Sequence, residues 1–162
     1  MNRMSRWGVG PTILMTALSY IAVASTVTYH WPNICLIHTV PNPVFLAPAL
    51  LLLAIGVPWL LVALIALTRN YNRDQLATGG IYGIVRHPIY AAWILFLIPG
   101  LVLLSPSWPL LLTPLVAYSA FRAKIGREES YLEARFGDRY RRYRSEVGAL
   151  FPFVRAGGRR AP

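Results

Sequence analysis

Two segments of the 162-residue chain carry the side chains whose types and spacing could do chemistry. The first is the stretch 69–88, which ends in Arg86-His87-Pro88 and is closely followed by Tyr90. Pro88 is well placed to be the first residue of a helix. Free N–H groups and the positive end of the helix dipole would then lie beside Arg86 and His87. This combination predicts a site for an anion such as a carboxylate or a phosphate.

The same stretch also has a structural interpretation, in which Gly79-Gly80 is a turn, Arg86 is an interfacial anchor and His87 is a helix cap. The glycines would let the backbone come close to a ligand or to another helix. No strand pattern precedes them, so a Rossmann dinucleotide fingerprint is not supported.

The second segment, residues 122–152, contains the adjacent carboxylates Glu128 and Glu129. Lys124 lies four residues before Glu128, so the two share a face on a helix, whereas Glu129 points about 100° away. A solvated ion pair at a helix end would contribute little. Directly after an apolar helix, however, this face can turn toward the same cavity as the first segment. The carboxylates would there bind donor groups or a cation.

The rest of the chain is apolar and must position these two segments. Hydrophobic residues make up 56% of the sequence and charged residues only 14%. No Asp, Glu, Lys or Arg occurs from Trp7 to Thr68 or from His87 to Phe121. Runs this long predict membrane spans. We therefore expect an all-α integral membrane protein in one domain, and not a soluble enzyme, a disordered chain or a disulfide scaffold.

Four spans are expected, at about residues 11–29, 44–67, 89–104 and 109–123. The basic residues precede the first span, lie between the second and third, or follow the fourth. The positive-inside rule therefore places both termini, the segment 69–88 and a helical C-terminal extension over residues 122–152 in the cytoplasm. The net charge of +10 is then mainly an orientation signal and not a nucleic-acid footprint.

The C-terminal extension is expected to form two helices. Gly137 is a stop signal for the first, and Asp138 is placed to cap the second, from Arg139 to Val147. The arginines of this second helix would face anionic membrane lipids, with its tyrosines at the membrane interface. Residues 153–162 are expected to be a flexible tail. No metal site is expected, because the outer-loop candidates are too scattered: His30, His38 and Cys35.

The two polar segments together carry a family resemblance. The first reads Gly80-x-Tyr82-x-x-x-Arg86-His87-Pro88-x-Tyr90. About forty residues later comes Arg127-Glu128-Glu129-x-x-Leu132-x-x-x-Phe136-Gly137-x-x-Tyr140-x-x-Tyr143, and then Phe151-Pro152. In this order and spacing the motifs resemble the isoprenylcysteine carboxyl methyltransferase family and its phospholipid methyltransferase relatives. The resemblance covers residues 75–152, about half of the chain.

The resemblance implies an integral-membrane methyltransferase that uses S-adenosylmethionine and releases S-adenosylhomocysteine. It implies that residues of both motifs enclose the cofactor: Gln75, Gly80, Tyr82, Arg86, His87, Pro88, Tyr90, Glu128 and Glu129. It also implies catalytic roles for Lys124 and Glu128. Family members often have an Arg, credited with a role near the substrate carboxylate, where Lys124 stands. Lys124 keeps the charge without the planar fork that binds a carboxylate through two bonds.

The nature of the acceptor decides which side chains the reaction needs. A carboxylate nucleophile needs no general base, so positioning and the exclusion of water suffice. An amine must first be neutral, and Glu128 or Glu129 would then serve as the base. We expect a lipid-like or prenylated small-molecule acceptor that enters from the bilayer, with carboxyl O-methylation first and phospholipid or other amine N-methylation as the alternative.

Two other classes of function stay open at this point. One is a membrane reductase of the sterol-reductase type, which would use a nicotinamide cofactor. The other is a non-catalytic membrane protein whose basic tail binds anionic lipid, which would not explain the Arg-His-Pro and Glu-Glu pairing. No nucleic acid and no obligatory protein partner is expected.

Overall fold

A computed structural model of the chain describes residues 8–72 and 75–152. This part of the chain is helical, with two isolated β-bridges and no strand, so the all-α prediction is confirmed for it. The tail 153–162 lies outside the described residues. The helices are α1 (Gly10–His30), α2 (Pro32–Cys35), α3 (Asn42–Asn72), α4 (Ile81–Ile84), α5 (Pro88–Leu103), α6 (Trp108–Leu111), α7 (Thr113–Phe136) and α8 (Asp138–Glu146).

Two of these helices, α1 and α3, are long and apolar enough to cross a membrane, with 21 and 31 residues. They contain the first two predicted spans. Helix α5 is apolar but shorter. Helix α7 starts within the fourth predicted span and continues without a break to Phe136, in the polar segment. Among the described residues, the structure therefore supports two spans by length and composition, and the number four stays a prediction.

Proline and glycine set the helix boundaries in the way the sequence predicts. Pro88 opens α5 directly after His87, where its missing N–H costs nothing and its fixed φ is already helical. Gly137 ends α7 with φ +53°, a conformation that other residues rarely adopt. Asp138, predicted to be a cap, is instead the first residue of α8, and its side chain pairs with Arg141 at 3.0 Å.

The central packing contact is between α3 and α5, and small residues allow it. A Cβ on Gly56 would lie 2.7 Å from Phe96 Cβ, and one on Gly100 would lie 2.9 Å from Leu53 Cγ. Lipid tails are as apolar as leucine, so close approach at small residues is what holds such helices together. The indole N–H of Trp59 adds a hydrogen bond of 3.0 Å to the Pro88 carbonyl.

Helix α5 changes its winding along its length. Its first turn is α-helical, residues Ala92–Leu97 are π-helical, and Ile98–Leu103 is α-helical again. A π-helical stretch is rare and is frequently found at functional sites. Trp93 and Ile94, within it, line the cavity that is described below.

The segment that follows α8 pairs with the residues just before α5. The peptide N–H groups of Arg86 and His87 donate to the carbonyls of Gly148 and Ala149 at 2.7 and 3.0 Å. Tyr140 and Tyr143 are buried against Leu76. The prediction that these tyrosines lie at the membrane interface is therefore wrong, because the apolar face of α8 is covered by the protein itself.

Two glycine substitutions should separate close packing from helix propensity. Gly56→Ala should lower the free energy of unfolding by about 1–3 kcal/mol, because the new methyl group overpacks the α3–α5 contact. Gly126→Ala should raise it by about 0.5–1 kcal/mol, since a Cβ on this residue of α7 meets no atom within 4 Å. Thermal unfolding in detergent measures both changes. Equal stabilisation by the two substitutions would contradict the close contact.

Candidate functional site

A large cavity lies among α1, α3, α5, α7 and α8, with a volume of about 1290 Å³. At one end it is lined by Arg86, His87 and Glu128. Along α5 the lining continues from Pro88 to Ile98, a distance of about 15 Å at 1.5 Å per residue. The cavity therefore joins a polar cluster at the start of α5 to an apolar region between the long helices. The apolar lining includes Ile13, Leu14, Leu60, Leu64 and Leu67.

Glu128 lines this cavity and is held by two donors on one oxygen. The Tyr90 hydroxyl donates to Glu128 Oε2 at 2.7 Å. The backbone N–H of Val9, at the start of α1, donates to the same oxygen at 3.1 Å. The other oxygen, Oε1, lies 3.7 Å from His87 Nδ1. Glu128 thus has one oxygen fixed by the protein and one that accepts further donors.

Glu129 is buried and is surrounded by cationic and N–H groups. Arg86 Nη2 contacts its Oε1 at 2.8 Å, and Arg144 Nη2 lies 3.4 Å from its Oε2. His87 Nε2 lies 3.4 Å from Oε1. The hydrogen bond from His87, together with Arg86, lowers the pKa of Glu129 from 4.5 to about 2, against the opposing effect of burial. The carboxylate is therefore ionised at any physiological pH.

His87 lies between the two carboxylates. Its Nδ1 faces Glu128 and its Nε2 faces Glu129. Its ring stacks on Tyr90, with centroids 5.7 Å apart, and meets the edge of Phe121 at 5.8 Å. Adjacent residues on a helix point in directions about 100° apart. The Glu-Glu pair therefore contacts the imidazole from two sides, which explains why two adjacent acids are useful here.

Arg86 is engaged by the protein through most of its guanidinium group. Nη1 donates to the carbonyls of Arg144 and Val147 at 2.7 and 2.6 Å, and Nη2 is paired with Glu129. Carbonyls at a helix C-terminus lack partners within the helix. Arg86 therefore supplies that end of α8 with donors, and a direct role for this side chain in binding an anion stays a prediction.

The other predicted site residues divide into two groups. Gln75, Tyr82 and Pro88 line the cavity. Burial raises the pKa of Tyr82, which keeps its hydroxyl protonated. Gly80 does not line the cavity, and a Cβ on it would meet no atom within 4 Å. Its φ of +60°, and not a close approach by a neighbouring group, is what requires glycine.

Lys124 lies outside the cavity lining. It is half-buried on α7, one turn before Glu128. Its catalytic role stays a prediction. Glu129 is likewise absent from the lining and acts on the site through Arg86 and His87.

Sequence reasoning missed the start of α1. Gly8 and Gly10 line the cavity, and Val9 contacts Glu128 through its backbone. The sequence signal was Gly8-Val9-Gly10 directly before Pro11, which indicates the start of a helix but does not show which residue it contacts.

Tyr140 belongs to the second motif, but the motif alone assigned it no role. Its buried hydroxyl has no hydrogen-bond partner among the described residues. Within that same part of the chain, no group of three or more His, Cys, Asp or Glu side chains could hold a metal ion.

The fold and the cavity define a class of protein. It is a helical protein with two helices able to cross a membrane, and with a cavity that offers polar groups at one end and aliphatic side chains at the other. This class is compatible with a ligand that is itself part polar and part apolar.

Comparisons with known proteins identify the family. The model of the Isoprenylcysteine carboxyl methyltransferase (ICMT) family matches residues 44–134, more than half of the chain. The chain belongs to this family, as its two motifs predicted. Together with the two apolar helices, this membership indicates a membrane protein. No solved structure matches the chain.

Three relatives illustrate the extent of the similarity, each a protein-S-isoprenylcysteine O-methyltransferase. The protein of Schizosaccharomyces pombe is 38% identical over 84 residues, 51% of this chain and 36% of the relative. That of Xenopus laevis is 34% identical over 91 residues, 55% of this chain and 32% of the relative. That of Tribolium castaneum is 27% identical over 136 residues, 78% of this chain and 47% of the relative. The chain thus spans less than half the length of these relatives.

The Glu129 cluster predicts a specific response to acid. Since the folded-state pKa of Glu129 is below its usual value, its stabilisation is fully present above about pH 4.5 and is lost as the pH falls toward 2. Glu129→Gln should lower the melting temperature at pH 7 and flatten its decline between pH 5 and 2. Melting curves across this range, with the exposed Glu146→Gln as control, measure the difference. Identical acid slopes for wild type and Glu129→Gln would contradict the assignment.

Proposed function

We propose that the chain is a membrane methyltransferase that transfers a methyl group from S-adenosylmethionine to the carboxylate of an isoprenylcysteine-type acceptor. The observation that carries this proposal is the cavity, which joins Glu128, Tyr90 and His87 to an aliphatic region along α3 and α5. Membership of the isoprenylcysteine carboxyl methyltransferase family supports the choice of reaction. The names of the curated relatives, each a protein-S-isoprenylcysteine O-methyltransferase, support a prenylated protein cysteine as the acceptor.

The donor set at the polar end fits the proposed cofactor. S-adenosylmethionine supplies an electrophilic methyl group on a sulfonium, and it also carries an amine, a carboxylate and ribose hydroxyls. Glu128 Oε1 is available to accept hydrogen bonds from an amine or a hydroxyl. The N–H groups of Arg86, His87 and Ala91 are bonded within the protein, so the start of α5 would favour a carboxylate through its helix dipole and the remaining N–H groups of Ile89 and Tyr90. The faces of Tyr82 and Tyr90 tolerate a positive charge.

The size of the cavity supports a site for two ligands. Its volume of about 1290 Å³ exceeds the roughly 300–1,000 Å³ of a usual small-molecule pocket. Leu60 and Leu64 of α3 and Ile98 of α5 would contact an isoprenoid chain. A carboxylate acceptor requires no general base. The aliphatic residues would therefore act by holding the acceptor, with its carboxylate as the nucleophile, in place and by excluding water. We propose that Lys124 attracts the acceptor carboxylate.

The proposed topology has four membrane segments, with α5 and the first half of α7 as the third and fourth. The support for it is the distribution of charge. The described connections without Lys or Arg, at residues 31–41 and 104–107, would lie on one side. The charged second half of α7 and helix α8 would then form a cytoplasmic extension that carries the cofactor site.

Binding and product analysis test the proposed reaction. In calorimetry the purified protein should bind S-adenosylmethionine saturably and should not bind NADPH. Glu128→Gln should weaken this binding by about tenfold to a hundredfold, because a hydrogen bond to a charged group is lost. With methyl-labelled cofactor and a farnesylcysteine analogue, the product should release labelled methanol in alkali, as a methyl ester does.

Matched variants sharpen that experiment. The exposed Glu146→Gln should bind the cofactor like wild type. Lys124→Ala should lower turnover more than cofactor affinity, because Lys124 would attract the acceptor; a loss of cofactor affinity alone would contradict this role. Saturable binding of NADPH alone would refute the proposed function, and an alkali-stable methyl group on an amine would refute carboxyl methylation.

Cysteine labelling tests the proposed topology. Cys35 is the only cysteine, so a Cys35→Ala background can carry single new cysteines at two exposed positions. Asn33→Cys should react with a membrane-impermeant maleimide in intact cells, because α2 would lie outside. Ser145→Cys should react only after permeabilisation. Labelling of both positions in intact cells would contradict the proposed orientation.

A further inference from the structure

The start of α1 contacts the polar end of the cavity at a position 119 residues away in the sequence. The Val9 N–H donates to Glu128 Oε2 at 3.1 Å, beside the Tyr90 hydroxyl on the same oxygen. Gly8 precedes it with φ +51°. Both Gly8 and Glu128 line the cavity. A membrane helix and a carboxylate of the second motif are therefore joined by one backbone hydrogen bond.

Glycine at residue 8 is required by space as well as by conformation. A Cβ there would fall on Glu128 Oε2, would lie 2.8 Å from Glu128 Cδ and 3.0 Å from Tyr90 Oη. The carboxylate end of Glu128 is held by Tyr90 and Val9, so it has little freedom to move aside. The backbone of residues 8 and 9 thus forms one wall of the Glu128 position.

Occupation of Oε2 by two donors determines which oxygen is left for a ligand. Oε1 is 3.7 Å from His87 Nδ1, beyond hydrogen-bond distance. A carboxylate accepts several hydrogen bonds, and the protein supplies them on one side only. The orientation of Glu128 is therefore set from α1 and not only from its own helix.

We propose that Gly8 and Val9 are positioning residues of the methyl-donor site, which fix Glu128 so that its free oxygen Oε1 faces the bound cofactor. This inference rests on the proposed function, because it assumes that Glu128 accepts hydrogen bonds from S-adenosylmethionine. Ile13 and Leu14 of the same helix line the aliphatic part of the cavity. Helix α1 and the residues at its start therefore contact both the polar and the aliphatic parts of the cavity. They orient Glu128 without touching the atoms that react.

A double-mutant cycle tests this role. Gly8→Ala should weaken binding of S-adenosylmethionine by about tenfold, because it displaces a carboxylate held by charge-assisted hydrogen bonds. In a Glu128→Asp background the shorter side chain leaves room for the new methyl group. There, the additional effect of Gly8→Ala should fall below about twofold, since coupled residues are not additive. Calorimetry of the four proteins gives the coupling.

Two further variants separate positioning from general damage. Gly137→Ala also places a side chain at a positive φ, +53°, but no atom lies within 4 Å of the new Cβ, so it should leave the affinity unchanged. Val9→Pro removes the N–H donor without adding a group at residue 8. The φ of −89° at Val9 is about 24° from the usual −65° of proline, so the ring requires a modest backbone adjustment. Val9→Pro should therefore weaken binding as Gly8→Ala does.

Each outcome has one meaning. Loss of affinity in Gly8→Ala that is equally large in the Glu128→Asp background would show a structural effect and would overturn the positioning role. If the wild-type protein binds S-adenosylmethionine and both Gly8→Ala and Val9→Pro bind it equally well, the positioning role is overturned and the proposed function still stands. A wild-type protein that fails to bind S-adenosylmethionine would refute the proposed function and this role with it.

Discussion

The buried carboxylate of Glu129 is the interaction on which the rest of the site depends. A buried charge without partners is very costly, so Glu129 requires the cationic and N–H groups around it. Arg86 meets this requirement and at the same time donates to the last carbonyls of α8. His87 meets it from the other side and faces Glu128 with its second nitrogen. Three chain segments are thus held together by one ionised group.

This arrangement assigns different tasks to the two adjacent acids. Glu129 points into the protein and holds Arg86 and His87, whereas Glu128 points into the cavity with one oxygen uncommitted. A motif with two acids is therefore not a pair of equivalent ligands. One carboxylate organises the cluster, and the other is presented to whatever enters the cavity. The short α-helical turn at Pro88 and the start of α1 complete the enclosure.

The sequence predicted the side chains at the centre of the site, but neither its full membership nor how each residue is engaged. The spacing of the two motifs placed Arg86 and His87 near Glu128 and Glu129, and the structure brings all four together. The Val9 contact was invisible because a backbone N–H has no sequence signature. The engagement of Arg86 with α8 was equally hidden, since a guanidinium group offers five donors and the sequence does not say which acceptors they find.

One prediction about the C-terminal helices is confirmed and one is wrong, each for a physical reason. Charged residues end an apolar run but do not interrupt helical hydrogen bonds, so α7 continues past the fourth predicted span and ends at Phe136, before the predicted stop signal Gly137. In α8, a face of tyrosines between arginines fits either a membrane interface or a protein surface. In this structure the tyrosine face packs on the protein, because it contacts Leu76, a residue far away in the sequence. Local patterns predict that such a face must be covered, and only tertiary structure shows by what.

The π-helical stretch of α5 gives this helix one residue more than α-helical winding would accommodate. That residue is an insertion that the fold has absorbed into a wider turn, at the level where Trp93 and Ile94 enter the cavity. Loss of a single residue from Ala92–Leu97 would restore regular winding and leave the helix beyond it in nearly the same register. Ile98 would still reach the cavity and Gly100 would keep its contact with α3. The extra residue therefore shapes the cavity wall at Trp93 and Ile94 without disturbing the contact that holds α3 and α5 together.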